Sequence, residues 1–256
     1  MIKTAKSMTC STRSNMDRRR LLRLLAVTAL LLGSAAKDVV AQATKSSGTR
    51  IGIVGSGNIG STVGTFWVKA GYPVLFSSRN PENLKQLVDS LGPLAKAGTV
   101  RDALTFGDAA LIAVPYGAYP QIGKDYAREL AGKIVLDAGN AVPSRDGEIS
   151  KEARELGIGL TSAKYLPKAR IVRAFNTLNY QVLISNSHRP GERMAIPIAG
   201  DDKEALALAS KLIHDAGFDP VIIGSLQSAK LFAQGGPLYG QQITAKEMQL
   251  RLKTLQ

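Results

Sequence analysis

The stretch Arg50 to Pro81, RIGIVGSGNIGSTVGTFWVKAGYPVLFSSRNP, constrains the fold more than any other part of the chain. A short apolar run is followed at once by Gly55, Gly57 and Gly60, then by a helical pattern and a second apolar run. That order specifies a strand, a tight turn, a helix and a neighbouring strand. Gly55 permits the turn, Gly57 lets the backbone approach a pyrophosphate, and Gly60 allows close helix–strand packing. Phosphates would rest on the free amides at the helix N-terminus.

The same stretch ends in Ser77, Ser78 and Arg79. Where NAD is bound, an acidic residue near this place bonds the ribose hydroxyls. Nothing acidic stands here to repel a 2′-phosphate. A guanidinium can pair with that phosphate through two parallel bonds, and the hydroxyls can donate to it. The expected cofactor is therefore NADP(H).

From Arg50 onward, apolar runs keep alternating with helical patterns, as in a parallel sheet flanked by helices. Strands are expected at Ile51–Val54, Val74–Phe76, Ala110–Val114, Ile134–Asp137, Ile171–Ala174, Ala195–Ala199 and Val221–Ile223, with a weaker one near Thr99. The helix after Asn80 has a readable start, with Asn80 as cap, Pro81 in the first helical position and Glu82 at the positive end of the dipole. The fold class is α/β, a Rossmann-type doubly wound, mostly parallel sheet with a smaller C-terminal α/β extension. Residues 44–177 would form the nucleotide-binding domain and residues 178–256 a smaller part on the acceptor side.

Three strands in succession deliver short polar groups to one rim. Pro115 in AVPYGAY ends one strand, LDAGN places Asp137 and Asn140 at the end of the next, and RAFNT adds Asn176 and Thr177. Ligands of such sheets bind in the crevice at the carboxyl ends of the strands, so these groups together outline a nicotinamide and substrate pocket.

The first 43 residues are expected to stand outside this fold. MDRRRLLRLLAVTALLLGSAAKDVVAQA has a basic head, an apolar run from Leu24 to Leu32 and an Ala41-Gln42-Ala43 cleavage pattern. The apolar run falls well short of the roughly 20 residues that span a bilayer, so a cleaved export signal with no stable membrane insertion afterwards is the reading. Arg18-Arg19 followed by Leu21, Leu22 and Arg23 matches a twin-arginine signal and a periplasmic destination, with Asp17 where Ser or Thr is usual. Met16 is a second candidate start.

Composition narrows the chemistry. Cys10, the single cysteine, lies in the export segment, and the histidines are His188 in a polar loop and His214 on an amphipathic helix from Asp202 to Ala216. Neither a thiol nucleophile nor a metal site is expected. Of the formal net charge of +13, the first 43 residues carry +6, from eight Lys/Arg and two Asp. The remaining basic residues are scattered and aromatics are only 5%, too few for a base-stacking platform. No nucleic acid is expected among the partners.

IGIVGSGNIGSTVGTFWVKAGYPVLFSSRNPENL, LIAVPYGAY, LDAGNAVP, IVRAFNTLN and AGFDPVIIGSL…GGPLYG, in this order, resemble the coenzyme F420-dependent NADP oxidoreductase family, to which the reductase domain of STEAP-type metalloreductases is related. The resemblance runs from Arg50 to about Gly240. It implies hydride transfer between NADPH and a small-molecule redox acceptor with a flavin-like ring, either F420 or FMN/FAD. It further implies that Gly55, Ser56, Asn58 and Ile59 form the phosphate loop and that Ser78 and Arg79 read the 2′-phosphate. Ala113, Val114 and Pro115 would lie beside the nicotinamide, with Ala174, Phe175, Asn176 and Thr177 facing the second ring. A homodimer is also implied.

Such a transfer needs little acid–base chemistry, because placement of two rings and exclusion of water do most of the work. No catalytic acid or base is assigned, and Asp137 reads as a loop residue or a support behind the site. Two rivals stay open. A pyrroline-5-carboxylate reductase or β-hydroxyacid dehydrogenase shares the N-terminal unit but needs a substantial helical C-terminal domain. A non-catalytic NADP(H)-binding redox sensor would keep the fold without turnover.

Overall fold

Four-residue apolar runs without alternation are what a strand buried on both faces requires, and the chain supplies them in series. The computed structural model describes residues 48–255, and the expected export segment lies outside them. The strands are β1 (Ile51–Val54), β2 (Val74–Ser77), β3 (Ala95–Gly98), β4 (Ala109–Ile112), β5 (Ile134–Asp137), β6 (Arg170–Arg173), β7 (Ala195–Gly200) and β8 (Asp219–Gly224). β1, β2 and β4 are buried throughout. The weakly signalled strand is β3, a half-exposed edge.

The strands form one sheet in the order β3-β2-β1-β4-β5-β6-β7-β8. β1 to β6 are mutually parallel, and β7 runs antiparallel to β6 while pairing in parallel with β8. The chain leaves β1 toward β2 and later returns to place β4 on its other side. This reversal opens a crevice at the carboxyl ends of β1 and β4, where ligands of open α/β sheets bind. β7 and β8, joined by the helix Lys203–Asp215, continue the same sheet, and the described residues form one compact unit.

Each face of the sheet has its own core. Ile51, Ile53, Trp67, Phe76, Phe175 and Phe218 belong to one; Val54, Ile112, Tyr116, Tyr119 and Phe232 belong to the other. β1 divides its side chains between the two by the two-residue period of a strand.

The segment after β2 departs from expectation. Pro81–Leu84 is a 3-10 turn leading into the helix Lys85–Leu91, and the Asn80 side chain does not cap it. Asn80 instead donates its backbone N–H to Ser78 Oγ at 3.1 Å. A short side chain at the start of a turn can serve either geometry, and here the serine supplies the oxygen. Asp202 caps the helix Lys203–Asp215 by accepting from the Ala205 amide.

Candidate functional site

At the turn after β1, Gly55 has φ of +93°, a left-handed conformation that side chains disfavour. A Cβ there would also lie 2.4 Å from Val114 Cγ1. Gly60 is needed for a different reason, since its Cβ would come within 2.0 Å of the Gly55 carbonyl oxygen. The helix Asn58–Lys69 thereby begins tight against β1. Its start has no side-chain cap and no acidic residue in the first turn. The Ser61 amide is bonded back to Gly57 O at 2.8 Å, so the amides of Asn58, Ile59 and Gly60 are the orphan donors of a helix N-terminus. Ser56 holds the loop to β2 by donating its N–H to Ser77 O at 3.0 Å, while its buried Oγ has no partner. Free amides, an orphan hydroxyl and no local acid suit a pyrophosphate.

The three residues at the end of β2 separate in role. Ser77 is fully buried and donates Oγ–H to Ile53 O at 2.6 Å, so its hydroxyl is committed to the sheet and does not reach a ribose phosphate. The reading of Ser77 as a cofactor contact is corrected accordingly. Ser78 is half-buried at the rim. Arg79 is exposed, and among the described residues it enters no salt bridge. A shallow recess of about 460 Å³ with mixed lining, from Ser56, Ser61, Asn83 and Gln86 to Leu84 and Leu87, lies between the phosphate loop and the next helix.

Across the crevice, β4 ends at Ile112, and Ala113, Val114 and Pro115 lead into a 3-10 turn, Tyr116–Ala118. The loops after β5 and β6 meet there. Asn140 donates Nδ2–H to Asn176 O at 2.6 Å, and Asn176 donates to Phe232 O at 3.0 Å. Asn176 Oδ1 is buried and has no partner, which leaves a free acceptor at the rim. Thr177 is buried, with its carbonyl accepting from Gly240 N–H at 3.1 Å.

Phe175 does not face the crevice, contrary to the expectation. Its ring sits in the core, edge-on to Trp67 and Phe218 with centroids 6.0 and 6.4 Å away. Its backbone is held at φ of +59°, a strained value for a bulky residue. The buried ring anchors this bend, on which Asn176 follows. Ala174 is likewise fully buried.

Beneath the rim lies a charged network that the sequence reading did not anticipate. Asp137, the last residue of β5 as expected, is fully buried, which makes it a support behind the site and not a loop residue. Its Oδ1 accepts from Tyr119 OH at 2.5 Å and from Gly139 N–H at 2.9 Å. Arg173 Nη1 lies 2.7 Å away as an ion-pair contact, and Nη2 donates to Gly139 O at 2.7 Å. Burial and then the Asp137 charge push the Tyr119 hydroxyl well above its usual value. Burial alone would lower Arg173, but the Asp137 charge overrides it and the guanidinium is raised. The signal was present: IVLD and RIVR are adjacent strands, and in parallel register their last residues are partners.

Next to Asn140 and Phe232 in sequence, Ala141 and Ala233 help to line a half-open pocket of about 680 Å³, with Pro143, Arg154, Gln227 and Lys230 also in its wall. Volumes of a few hundred Å³ and more accommodate a drug-sized ring system.

Residues 50–141 match the sequence profile of the family described as NADP oxidoreductase coenzyme F420-dependent. The chain is similar to metalloreductase STEAP3 of Rattus norvegicus, 31% identical over 185 residues that cover 71% of this chain and 35% of that protein. It is also similar to metalloreductase STEAP2 of Mus musculus, 25% identical over 70% of this chain and 34% of the relative. It thus spans about one third of the length of these curated relatives. Among solved structures, a hypothetical protein SMa0349 from Sinorhizobium meliloti aligns with a TM-score of 0.66 and 29% identity, over 77% of this chain and 96% of that one.

Proposed function

We propose that this chain, whose residues 50–141 match the profile of the coenzyme F420-dependent NADP oxidoreductase family, binds NADP(H) and reduces or oxidises a flavin or deazaflavin ring, F420 or FMN/FAD, in the adjoining pocket. The observation that carries the reading is the donor set around the end of β2. Arg79 stands exposed with no salt-bridge partner among the described residues, and Ser78 lies beside it, half-buried at the rim. A guanidinium and a hydroxyl at the end of β2, where an acidic residue would stand in an NAD site, favour a 2′-phosphate over a free ribose hydroxyl.

NADPH, when bound, supplies a hydride from its nicotinamide. The chain's own residues bind, orient and exclude water. Orphan amides at Asn58 to Gly60 hold the pyrophosphate, and Gly57 lets it come close. Asn140 and Asn176 tie the loops after β5 and β6 to each other and to Phe232, which fixes the rim at this end of the sheet. The Tyr119, Asp137 and Arg173 groups are sealed beneath the rim, where they fix the loop geometry rather than exchange protons with a substrate. That leaves hydride transfer by placement as the chemistry the site supports best.

Export through the twin-arginine route is part of the same proposal. That route carries folded proteins, so the cofactor would be loaded before translocation.

The test is anaerobic NADPH oxidation with F420, FMN or FAD in turn, with NADH run in parallel. Turnover on one ring with preference for NADPH is expected. NADPH binding without turnover on any of the three would replace the reductase by a nucleotide sensor.

A further inference from the structure

Asp146 lies on a short helical turn, Pro143–Asp146, outside every motif that pointed to the nucleotide. Its side chain is nevertheless 1% exposed and fully engaged. Oδ1 accepts from the Gly117 amide at 3.0 Å, and Oδ2 accepts from the Val142 amide at 2.7 Å. Arg145 donates to the same carboxylate through Nε at 3.0 Å and Nη2 at 2.8 Å, and Nη2 also reaches Asn140 O at 2.6 Å. Burial alone would push the Asp146 carboxyl up, but the bonds from Arg145, Val142 and Gly117 hold it below its usual value.

These contacts join segments far apart in sequence. Gly117 belongs to the loop after β4, and Val142 and Asn140 to the loop after β5. Asn140 in turn bonds Asn176 on the loop after β6. The sheet order β2-β1-β4-β5-β6 settles which part of a dinucleotide these loops meet. With the 2′-phosphate at the end of β2 and the pyrophosphate on the helix after β1, the nicotinamide half extends over β4 and β5.

We infer that Asp146 is a positioning residue for the nicotinamide half of NADP(H). It sets the spacing between the Pro115–Gly117 turn and Asn140 while touching neither cofactor nor acceptor. A charged acceptor suits this task, because one carboxylate can receive two backbone amides and a guanidinium at once. The inference rests on the NADP(H) reading of the site, and it concerns only the half of the ligand beyond the pyrophosphate.

The experiment compares two ligands by isothermal titration of the full chain. NADP+ carries both halves, whereas adenosine 2′,5′-bisphosphate carries the 2′-phosphate and lacks the nicotinamide. Asp146→Ala is expected to weaken NADP+ about tenfold while leaving the bisphosphate within about twofold, since small misplacements at a site are costly. Asp146→Asn keeps one acceptor oxygen and is expected to fall between, about threefold, and it carries the test if the alanine variant does not fold. Arg79→Ala serves as the contrast and weakens both ligands. Equal effects of the Asp146 variants on the two ligands, or none on either, would overturn the inference while leaving the NADP(H) reading intact. Failure of the wild-type chain to bind either ligand would overturn both.

Discussion

Asp137 and Arg173 are register partners at the ends of β5 and β6, and their side chains meet 2.7 Å apart with neither exposed to solvent. Their partners are the Gly139 backbone and Tyr119 OH, so the pair fixes the loop that carries Asn140. Removing one member of a buried pair leaves the other charge uncompensated, at a cost of about 3–5 kcal/mol, whereas replacing both with apolar groups is often tolerated. Arg173→Met alone is therefore expected to lose stability in that range in urea unfolding. Arg173→Met with Asp137→Leu should recover only part of it, because Tyr119 OH and the Gly139 N–H then lose their acceptor. A single variant within about 1 kcal/mol of wild type would show that the pair is not structural.

Cofactor choice turns on Arg79. A hydrogen bond to a charged group contributes about 1.5–3 kcal/mol, equivalent to roughly 10- to 150-fold in binding. Arg79→Ala should raise the KM for NADPH by a factor in that range and leave the KM for NADH nearly unchanged. An unaltered ratio of kcat/KM for the two nucleotides would mean that the 2′-phosphate is read elsewhere.

Much of the nucleotide half was legible because it rests on backbone requirements that a sequence states directly. Gly55 and Gly60 name a turn and a close approach, and the unbroken apolar runs name buried parallel strands. β1 and β5 have the expected bounds, and β2, β4, β6, β7 and β8 differ by one or two residues at one end or both. Ser77 and Phe175 were misplaced for one common reason. Both sit at a strand end or just beyond it, where a shift of one residue exchanges the rim for the interior. Asp146 left no motif, because beside the adjacent Arg145 its partners are backbone amides 4 and 29 residues away. Contacts to backbone have no residue signature.

Acid should loosen the joint between β6 and the helix Lys203–Asp215. Arg170 donates to Asp202 and reaches Glu204 as well. Bonds from Arg170, then from the Ala205 amide, hold Asp202 down at about 2 against an ordinary 3.8. A carboxyl depressed in the folded state stabilises above its unfolded value, and that contribution is lost as pH falls through the folded one. The stability gap between wild type and Asp202→Asn should therefore narrow between about pH 4 and pH 2. Thermal melts at half-unit steps would show it. A gap that stays constant across the window would assign the effect to the helix cap instead.

The phosphate loop offers a sharper division between folding and binding. Exchange of glycine for alanine inside a helix ordinarily stabilises by about 1 kcal/mol. At Gly60 the sign should reverse, because the new methyl would stand 2.0 Å from the Gly55 carbonyl oxygen and push the helix away from β1. Gly57 differs: nothing lies within 4 Å of a Cβ placed there, and its φ of −76° is open to any residue. Gly57→Ala should thus keep its melting temperature, with stability within about 0.5 kcal/mol of wild type. Its methyl would nonetheless occupy the surface that a pyrophosphate must approach. NADP+ affinity by titration should fall by about tenfold or more in Gly57→Ala, a loss with no folding component. If Gly57→Ala binds NADP+ as the wild type does, the phosphates do not pass over this turn, and the dinucleotide must enter the crevice from another side.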